Sequence, residues 1–155
     1  MKYLEKITAF ILCITLMCGL SGCLYKEKTE AKTFQTVVEG KGYTVLDMTD
    51  RFDPEVGVSA CLSVYDAAQP FEITYYDVQT QKQAKAMCDQ NMKKFEAFAG
   101  GEKGLKTGAG NNVKYELTAD GRYMVNSSIG NTFIYADVPA EKAEEIKGIL
   151  TELGY

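Results

Sequence analysis

The run from Val113 to Val138, VKYELTADGRYMVNSSIGNTFIYADV, holds three segments of alternating side chains separated by two turn dipeptides. Val113 to Thr118, Tyr123 to Ile129 and Thr132 to Val138 have strand length and are rich in Val, Ile, Tyr, Phe and Thr. Asp120-Gly121 and Gly130-Asn131 stand between them. A two-residue hairpin loop requires residues that tolerate positive φ, which Gly, Asn and Asp supply. The spacing therefore predicts an antiparallel meander of three strands.

Downstream, Pro139 opens a helical pattern in which Ala143, Ile146, Ile149, Leu150 and Leu153 share one face and Gly154 ends the run. Upstream, residues 100–112 are glycine-rich and read as a long turn. Gly108-Ala109-Gly110 lacks the Gly-Lys-Ser/Thr ending and the helix of a phosphate-binding loop, so no nucleotide site is assigned there. Before this turn lies the clearest helix, Thr80 to Ala99. Its stripe of Ala84, Met87, Cys88, Asn91, Met92, Phe95 and Phe98 opposes Lys82, Lys85, Asp89, Lys93 and Glu96, with Thr80 as N-cap and Gly100-Gly101 as stop.

A hairpin precedes that helix. Val58, Ala60, Leu62 and Val64 share one face of its first strand, and Phe71, Ile73 and Tyr75 one face of its second. The acid-rich run Asp47 to Glu55 lacks the spacing and central glycine of a calcium loop and reads as a solvated turn. Phe34, Val37 and Val38, followed by Gly40 and Gly42, predict a short helix from about Glu30 to Glu39. The order helix, hairpin, helix, meander, helix predicts a single α+β domain over residues 33–155, an antiparallel sheet of about five strands with amphipathic helices packed on one face.

The first residues carry an address. Lys2 and Lys6 flank Glu5, an apolar run follows from Ile7 to Leu20, and the small residues Ser21 and Gly22 come next. This is the order of an export signal, and the run is shorter than the roughly 20 residues a helix needs to cross a bilayer. The site Leu20-Ser21-Gly22-Cys23 resembles the lipobox of bacterial lipoproteins. That resemblance implies removal of residues 1–22, lipid on Cys23, a polar tether over residues 23–32, and a domain held at the extracytoplasmic side of a cell membrane. Two or three acyl chains anchor stably, since each buried CH₂ contributes about 0.8 kcal/mol. With a helix followed by Gly42-Tyr43 and a terminal Leu153-Gly154-Tyr155, the chain is also similar to the small lipoproteins of low-GC Gram-positive bacteria, a resemblance that implies no particular activity.

Composition excludes several function classes. The chain has 17 Lys+Arg against 21 Asp+Glu, and the leader removes two lysines and one glutamate, so the remainder is more acidic still. That balance gives no electrostatic footprint for nucleic acid. Histidine is absent, which removes the usual proton carrier near neutral pH and the commonest transition-metal ligand. No cofactor or metal is called for.

Cys61 and Cys88 are the cysteines beyond the lipobox and form a candidate disulfide in an oxidising compartment. Alternation puts Cys61 opposite the Val58 to Val64 face, while Cys88 lies on a buried helical stripe. The two sulfurs are then on opposite sides of the sheet, beyond the Cα separation of about 4.4–6.8 Å that bonding needs. A single bulge would invert that phase.

The sheet face left open by the helices is expected to carry Ser59, Ser63, Tyr65, Glu72, Thr74, Tyr76, Lys114, Glu116, Thr118, Asn126 and Ser128. Tyrosine among short polar side chains both stacks and hydrogen-bonds, so Tyr65, Tyr76 and Asn126 are the candidate contacts for a protein, glycan or small-molecule partner. The leading expectation is a non-catalytic binding module anchored at a membrane. The alternatives are a small envelope enzyme with Glu72 and Glu116 paired across adjacent strands as acid and base, and a solute-binding accessory of a transporter, for which one lobe stands in place of the usual two.

Intact mass of the protein recovered from its native membrane should give an amino terminus at a lipid-modified Cys23, and Cys23→Ala should abolish the modification. An uncleaved, unmodified chain would overturn the assignment.

Overall fold

The computed structural model describes residues 25–66 and 71–155. The leader, Cys23 and the tip of the hairpin turn at 67–70 lie outside the described residues. Among those described, the helices are α1 (Ala31–Gly40), α2 (Gln81–Phe98) and α3 (Ala143–Glu152). The strands are β1 (Leu46–Asp47), β2 (Val58–Asp66), β3 (Phe71–Val78), β4 (Leu105–Thr107), β5 (Asn112–Ala119), β6 (Arg122–Ile129) and β7 (Thr132–Pro139). All form one antiparallel sheet in the order β1-β2-β3-β7-β6-β5-β4. The class is α+β, with seven strands rather than five. The additional pair, β1 and β4, are short edge strands recruited from segments that alternation does not mark.

The β5–β6–β7 meander follows from its turns. Ala119 pairs with Arg122 across Asp120-Gly121, and Ile129 with Thr132 across Gly130-Asn131. Asp120 and Gly121 have φ of 48° and 74°, the positive values that match the twist of flanking strands. The Thr80 hydroxyl caps α2 by accepting from the Gln83 amide at 3.1 Å. Pro139 closes β7 and caps a 3-10 turn, Ala140–Lys142, which leads into α3.

The helices occupy both faces of the sheet, and this corrects the expectation of one. On one face α1 and α3 bury Phe34, Val38, Ile146 and Leu150 against Val64, Ile73, Tyr75, Val125, Ile134 and Val138. On the other, Ala84 and Cys88 of α2 meet Val78 and Phe133, and Phe95 meets Tyr115, Leu117 and Met124. The cause lies in β5 to β7. Tyr115 and Leu117 project to the same side as Met124 and Phe133, and these large side chains need a cover of their own. A bulge at Ser59 separates the pairs Val58/Val78 and Ala60/Asp77. It turns Val58 onto the α2 side, so Val58 does not share a face with Ala60, Leu62 and Val64 as its alternation suggested.

The residues expected to form a free tether also differ. The Lys26 amide donates to Asn111 Oδ1 at 3.0 Å, Asn111 Nδ2 donates back to the Lys26 carbonyl at 2.8 Å, and Lys26 Nζ reaches the Gly154 carbonyl at 2.9 Å. The buried Thr29 hydroxyl donates to the Leu153 carbonyl, and Tyr75 OH donates to the Thr29 carbonyl at 2.7 Å. Residues 26–29 are thus fastened to the domain, because a row of carbonyls, an amide and a phenol at one end of the sheet satisfies their polar groups.

Phe34 is fully buried and stacks on Tyr75 with ring centroids 5.3 Å apart, whereas Leu105 on the edge strand is 64% exposed. Phe34→Ala should cost about 3–5 kcal/mol in urea unfolding and Leu105→Ala under about 0.5 kcal/mol. Equal effects would show that α1 is not part of the cooperative core.

Candidate functional site

Helix α2 covers the β5 to β7 side of its face and leaves the β2–β3 side partly open. Between its flank and the sheet runs a cleft of about 440 Å³, lined among others by Tyr76, Tyr135 and Asp137 from the sheet and by Gln90, Asn91 and Phe98 from the helix. A smaller hollow of about 120 Å³, shared with Tyr76, continues it towards Arg51, Phe52 and Glu72.

Register builds the floor. Tyr76 pairs with Phe133 across β3 and β7, and Phe133 and Tyr135 follow at alternate positions of β7. Their rings stand in a row. Tyr76 and Phe133 are 5.9 Å apart, Phe133 and Tyr135 6.0 Å, and Phe52 meets Tyr76 edge-on at 6.0 Å. Such spacings are those of favourable aromatic pairs. Phe133 is buried under α2, while Tyr76, Tyr135 and Phe52 keep part of their surface open.

One end of the row is charged. Glu72 on β3 pairs directly with Asp137 on β7, which places the two carboxylates on one face. Glu72 Oε1 accepts from Tyr135 OH and from Thr74 Oγ1, the latter at 3.0 Å. Asp137 Oδ1 accepts from Arg122 Nε at 2.7 Å, and the Arg122 guanidinium lies 5.9 Å from the Phe98 ring centroid. Burial raises the Asp137 pKa, with the hydrogen bond and charge of Arg122 acting against it and the nearby Glu72 charge adding to the rise. Burial also raises Tyr76 and Tyr135, reinforced at Tyr135 by its hydrogen bond to Glu72, so both phenols remain neutral donors at physiological pH.

The candidate residues are distributed unevenly. Tyr76 lines the cleft. Tyr65 is 55% exposed beside the hairpin turn, in a separate hollow with Tyr43 and Lys142. Asn126 is fully buried under α2, where its Oδ1 accepts from the Cys88 thiol, and it offers no surface to a partner. Ser63, Thr74 and Ser128 are buried as well. Lys114 and Glu116, ion-paired at 2.6 Å, belong to the opposite face of the sheet from Glu72. Glu72 and Glu116 are therefore no acid/base pair, being on opposite faces with β7 and β6 between their strands.

Cys61 and Cys88 are both free and buried. They lie on the same side of the sheet, contrary to expectation, because α2 packs on the face that Cys61 shares. Cys61 sits on β2 opposite Tyr76, whereas Cys88 contacts Asn126 on β6. Two strands, β3 and β7, separate these positions, and neighbouring strands are about 4.8 Å apart. Burial pushes the Cys88 thiol up to about 12 and raises Cys61 too.

Among the described residues no group of three or more Cys, Asp or Glu side chains is placed to hold a metal ion. In the acid-rich segment Asp47 Oδ1 accepts from the Thr49 amide and Asp53 Oδ1 from the Glu55 amide, each at 2.9 Å, so these carboxylates cap turns.

Asp137, Tyr135 and the α2 flank were missing from the sequence-derived face. Their signal was the alternation Phe133, Tyr135, Asp137 against Ile134, Ala136, Val138, which sets an aromatic and acidic side opposite an aliphatic one.

Neither family models, nor curated proteins, nor solved structures match this chain.

A thiol with a pKa near 12 is almost wholly protonated at pH 8, and the thiolate is the reactive form. Native protein should react with a disulfide-exchange reagent at neither Cys61 nor Cys88, and both should react after denaturation without prior reduction. Modification of Cys88 in the native state would contradict the burial described.

Proposed function

We propose that the protein is a membrane-anchored extracytoplasmic binding module whose ligand, a saccharide unit of the cell surface, lies in the cleft between α2 and the sheet. The supporting observation is the row of Tyr76, Phe133 and Tyr135 bounded by carboxylates on one side and by helix amides on the other. A sugar ring has an apolar face that stacks on aromatic side chains and a rim of hydroxyl groups that hydrogen-bonds in the plane. Gln90, Asn91, Glu72 and Asp137 offer donors and acceptors for that rim.

Charge favours this ligand over others. Lys94 lines the cleft together with Asp137, and Arg122 is ion-paired to Asp137, so a strongly charged partner meets both signs at once. A wholly apolar ligand would strip water from these groups and return no hydrogen bonds, at a cost of about 1–3 kcal/mol for each. A neutral polar ring meets neither penalty.

The reading is non-catalytic. Asp137 is committed to Arg122, and Glu72 accepts from Tyr135 and Thr74, so each carboxylate already serves the wall of the cleft. The leader and lipobox supply the anchoring half of the proposal.

Titration of the protein with soluble N-acetylglucosamine oligomers should shift the ring resonances of Tyr76 and Tyr135, with saturation. Tyr76→Ala should weaken binding about tenfold, corresponding to about 1.4 kcal/mol, while Tyr65→Ala leaves it unchanged. Saturable binding that moves Tyr65 but not Tyr76, or no binding of any oligomer, would sink the cleft assignment.

A further inference from the structure

We infer that the domain stands on the bilayer in a fixed sense, with the sheet end that carries Asn111, Gly130 and Gly154 against the lipid headgroups and the charged end of the cleft turned away. The inference rests on lipid attachment at Cys23 and adds an interaction surface to it.

Covalent reach is the first argument. The backbone is clamped at Lys26 by the paired hydrogen bonds with Asn111, and by the Lys26 ammonium on the Gly154 carbonyl. Two residues, Leu24 and Tyr25, stand between Cys23 and that clamp, which makes three residue-to-residue steps. A fully extended chain spans at most about 3.6 Å per residue, so the clamp is within about 11 Å of the acylated residue. That distance is smaller than the domain. The clamped end has no room to turn away from the bilayer while residues 26–29 stay docked.

Topology fixes what lies at that end. Asn111 accepts at its carbonyl from the Gly130 amide, and the Val78 amide donates to the Asn131 carbonyl. The β6–β7 turn, the end of β3 and the first turn of α2 therefore share the clamped end. Because β3 and β7 are antiparallel with Asp77 opposite Thr132 and Glu72 opposite Asp137, the Glu72/Asp137 pair lies at the other end. Helix α2 runs the same way as the cleft, from Thr80 near the clamp to Phe98 beside Arg122. Eight-residue strands put about 25 Å between the two ends. A ligand at the charged end of the cleft then arrives from the extracellular side and not from the lipid.

The test uses the full, lipid-modified protein in vesicles of phosphatidylglycerol and phosphatidylcholine carrying an energy acceptor on the headgroups. Single fluorophores go on Lys82→Cys, at the exposed start of α2, and on Glu102→Cys, beyond its far end. Cys61 and Cys88 are buried and Cys23 is acylated, so each label is unique. Transfer efficiency should be about twofold or more higher from position 82 than from 102, given the strand-length separation. A Gly/Ser insertion of about ten residues between Leu24 and Tyr25 adds a flexible reach of roughly 17 Å and should bring the two efficiencies together. Equal or reversed efficiencies on a preparation whose intact mass shows lipid at Cys23 would overturn the orientation alone. A difference unaltered by the insertion would overturn the short lead as its cause. Absence of lipid from Cys23 would overturn the anchoring, and the orientation with it.

Discussion

Everything in this fold depends on a sheet whose apolar surface changes side along its width. Along most of β2 and β3 the apolar residues Leu62, Val64, Phe71, Ile73 and Tyr75 face α1 and α3, while Ser63, Thr74 and Tyr76 face the other way and Val58 and Val78, at one end, meet α2. At β5 the phase is opposite, with Tyr115 and Leu117 facing α2 and Lys114 and Glu116 facing away from it. In β6 both sides are buried, and in β7 the side facing α1 and α3 is buried while Tyr135 and Asp137 on the other side stay half-buried at the cleft. Hydrophobic burial contributes about 25 cal/mol per Å², so neither apolar region is stable uncovered. Two helices cover one face and a third covers part of the other. The cleft exists because α2 is placed over the apolar β5 to β7 portion and stops short of the polar β2–β3 portion.

Burying β6 on both sides has a cost. Asn126, Ser127 and Ser128 interrupt an otherwise apolar strand, and Asn126 Nδ2 and Ser128 Oγ have no hydrogen-bond partner among the described residues. An unpartnered buried group costs about 1–3 kcal/mol. Cys88 offsets part of this by donating to Asn126 Oδ1, which accounts for a thiol at that position of α2 where an aliphatic side chain would pack as well. Burial, with the nearby Asp89 charge, keeps the thiol protonated, so its place in the structure is that of a small hydrophobe with one weak donor.

Much of this was legible in the chain. The meander, the α2 cap at Thr80 and the hairpin each rest on local chemistry that tertiary context did not override. The side on which α2 docks was less visible, yet the information was present. A two-residue loop at Asp120-Gly121 forces Tyr115 opposite Asn126 and Leu117 opposite Met124, and a two-residue loop at Gly130-Asn131 forces Asn126 opposite Tyr135. Carrying the register through both turns puts Asn126 and Ser128 among Tyr115, Leu117, Phe133 and Tyr135, a surface too apolar to be left open. Judging each strand by its own polar residues instead grouped Asn126 with Lys114 and Glu116, which the turn geometry forbids. The bulge at Ser59 had no such signal, since nothing in Val58-Ser59-Ala60 distinguishes it from regular alternation. Nor did the edge strand β4, whose entry depends on Gly104 passing so close to the Glu116 carbonyl that a Cβ would stand 2.1 Å from it.

The docked segment before α1 raises a question of energy against position. Fixing the backbone of each residue costs about 1–2 kcal/mol, and each hydrogen bond returns about 0.5–1.5 kcal/mol net. Residues 26–29 are held by the bonds from Asn111, Gly154, Leu153 and Tyr75 and by an ion pair of Lys28 with Asp77 at 3.1 Å that is partly exposed. Exposed pairs of that kind contribute under about 1 kcal/mol. Gains and losses are therefore of the same size, and the segment adds little to the stability of the domain. Its partners explain why it docks at all. Asn111, Gly154 and Tyr75 are set in place by the sheet and by the carboxy terminus, where Tyr155 OH meets the Thr132 hydroxyl at 2.5 Å. A rigid receptor spares the cost of ordering a second surface. What the segment determines is direction, since it brings the amino-terminal end of the domain to the side of the sheet opposite the Glu72/Asp137 pair.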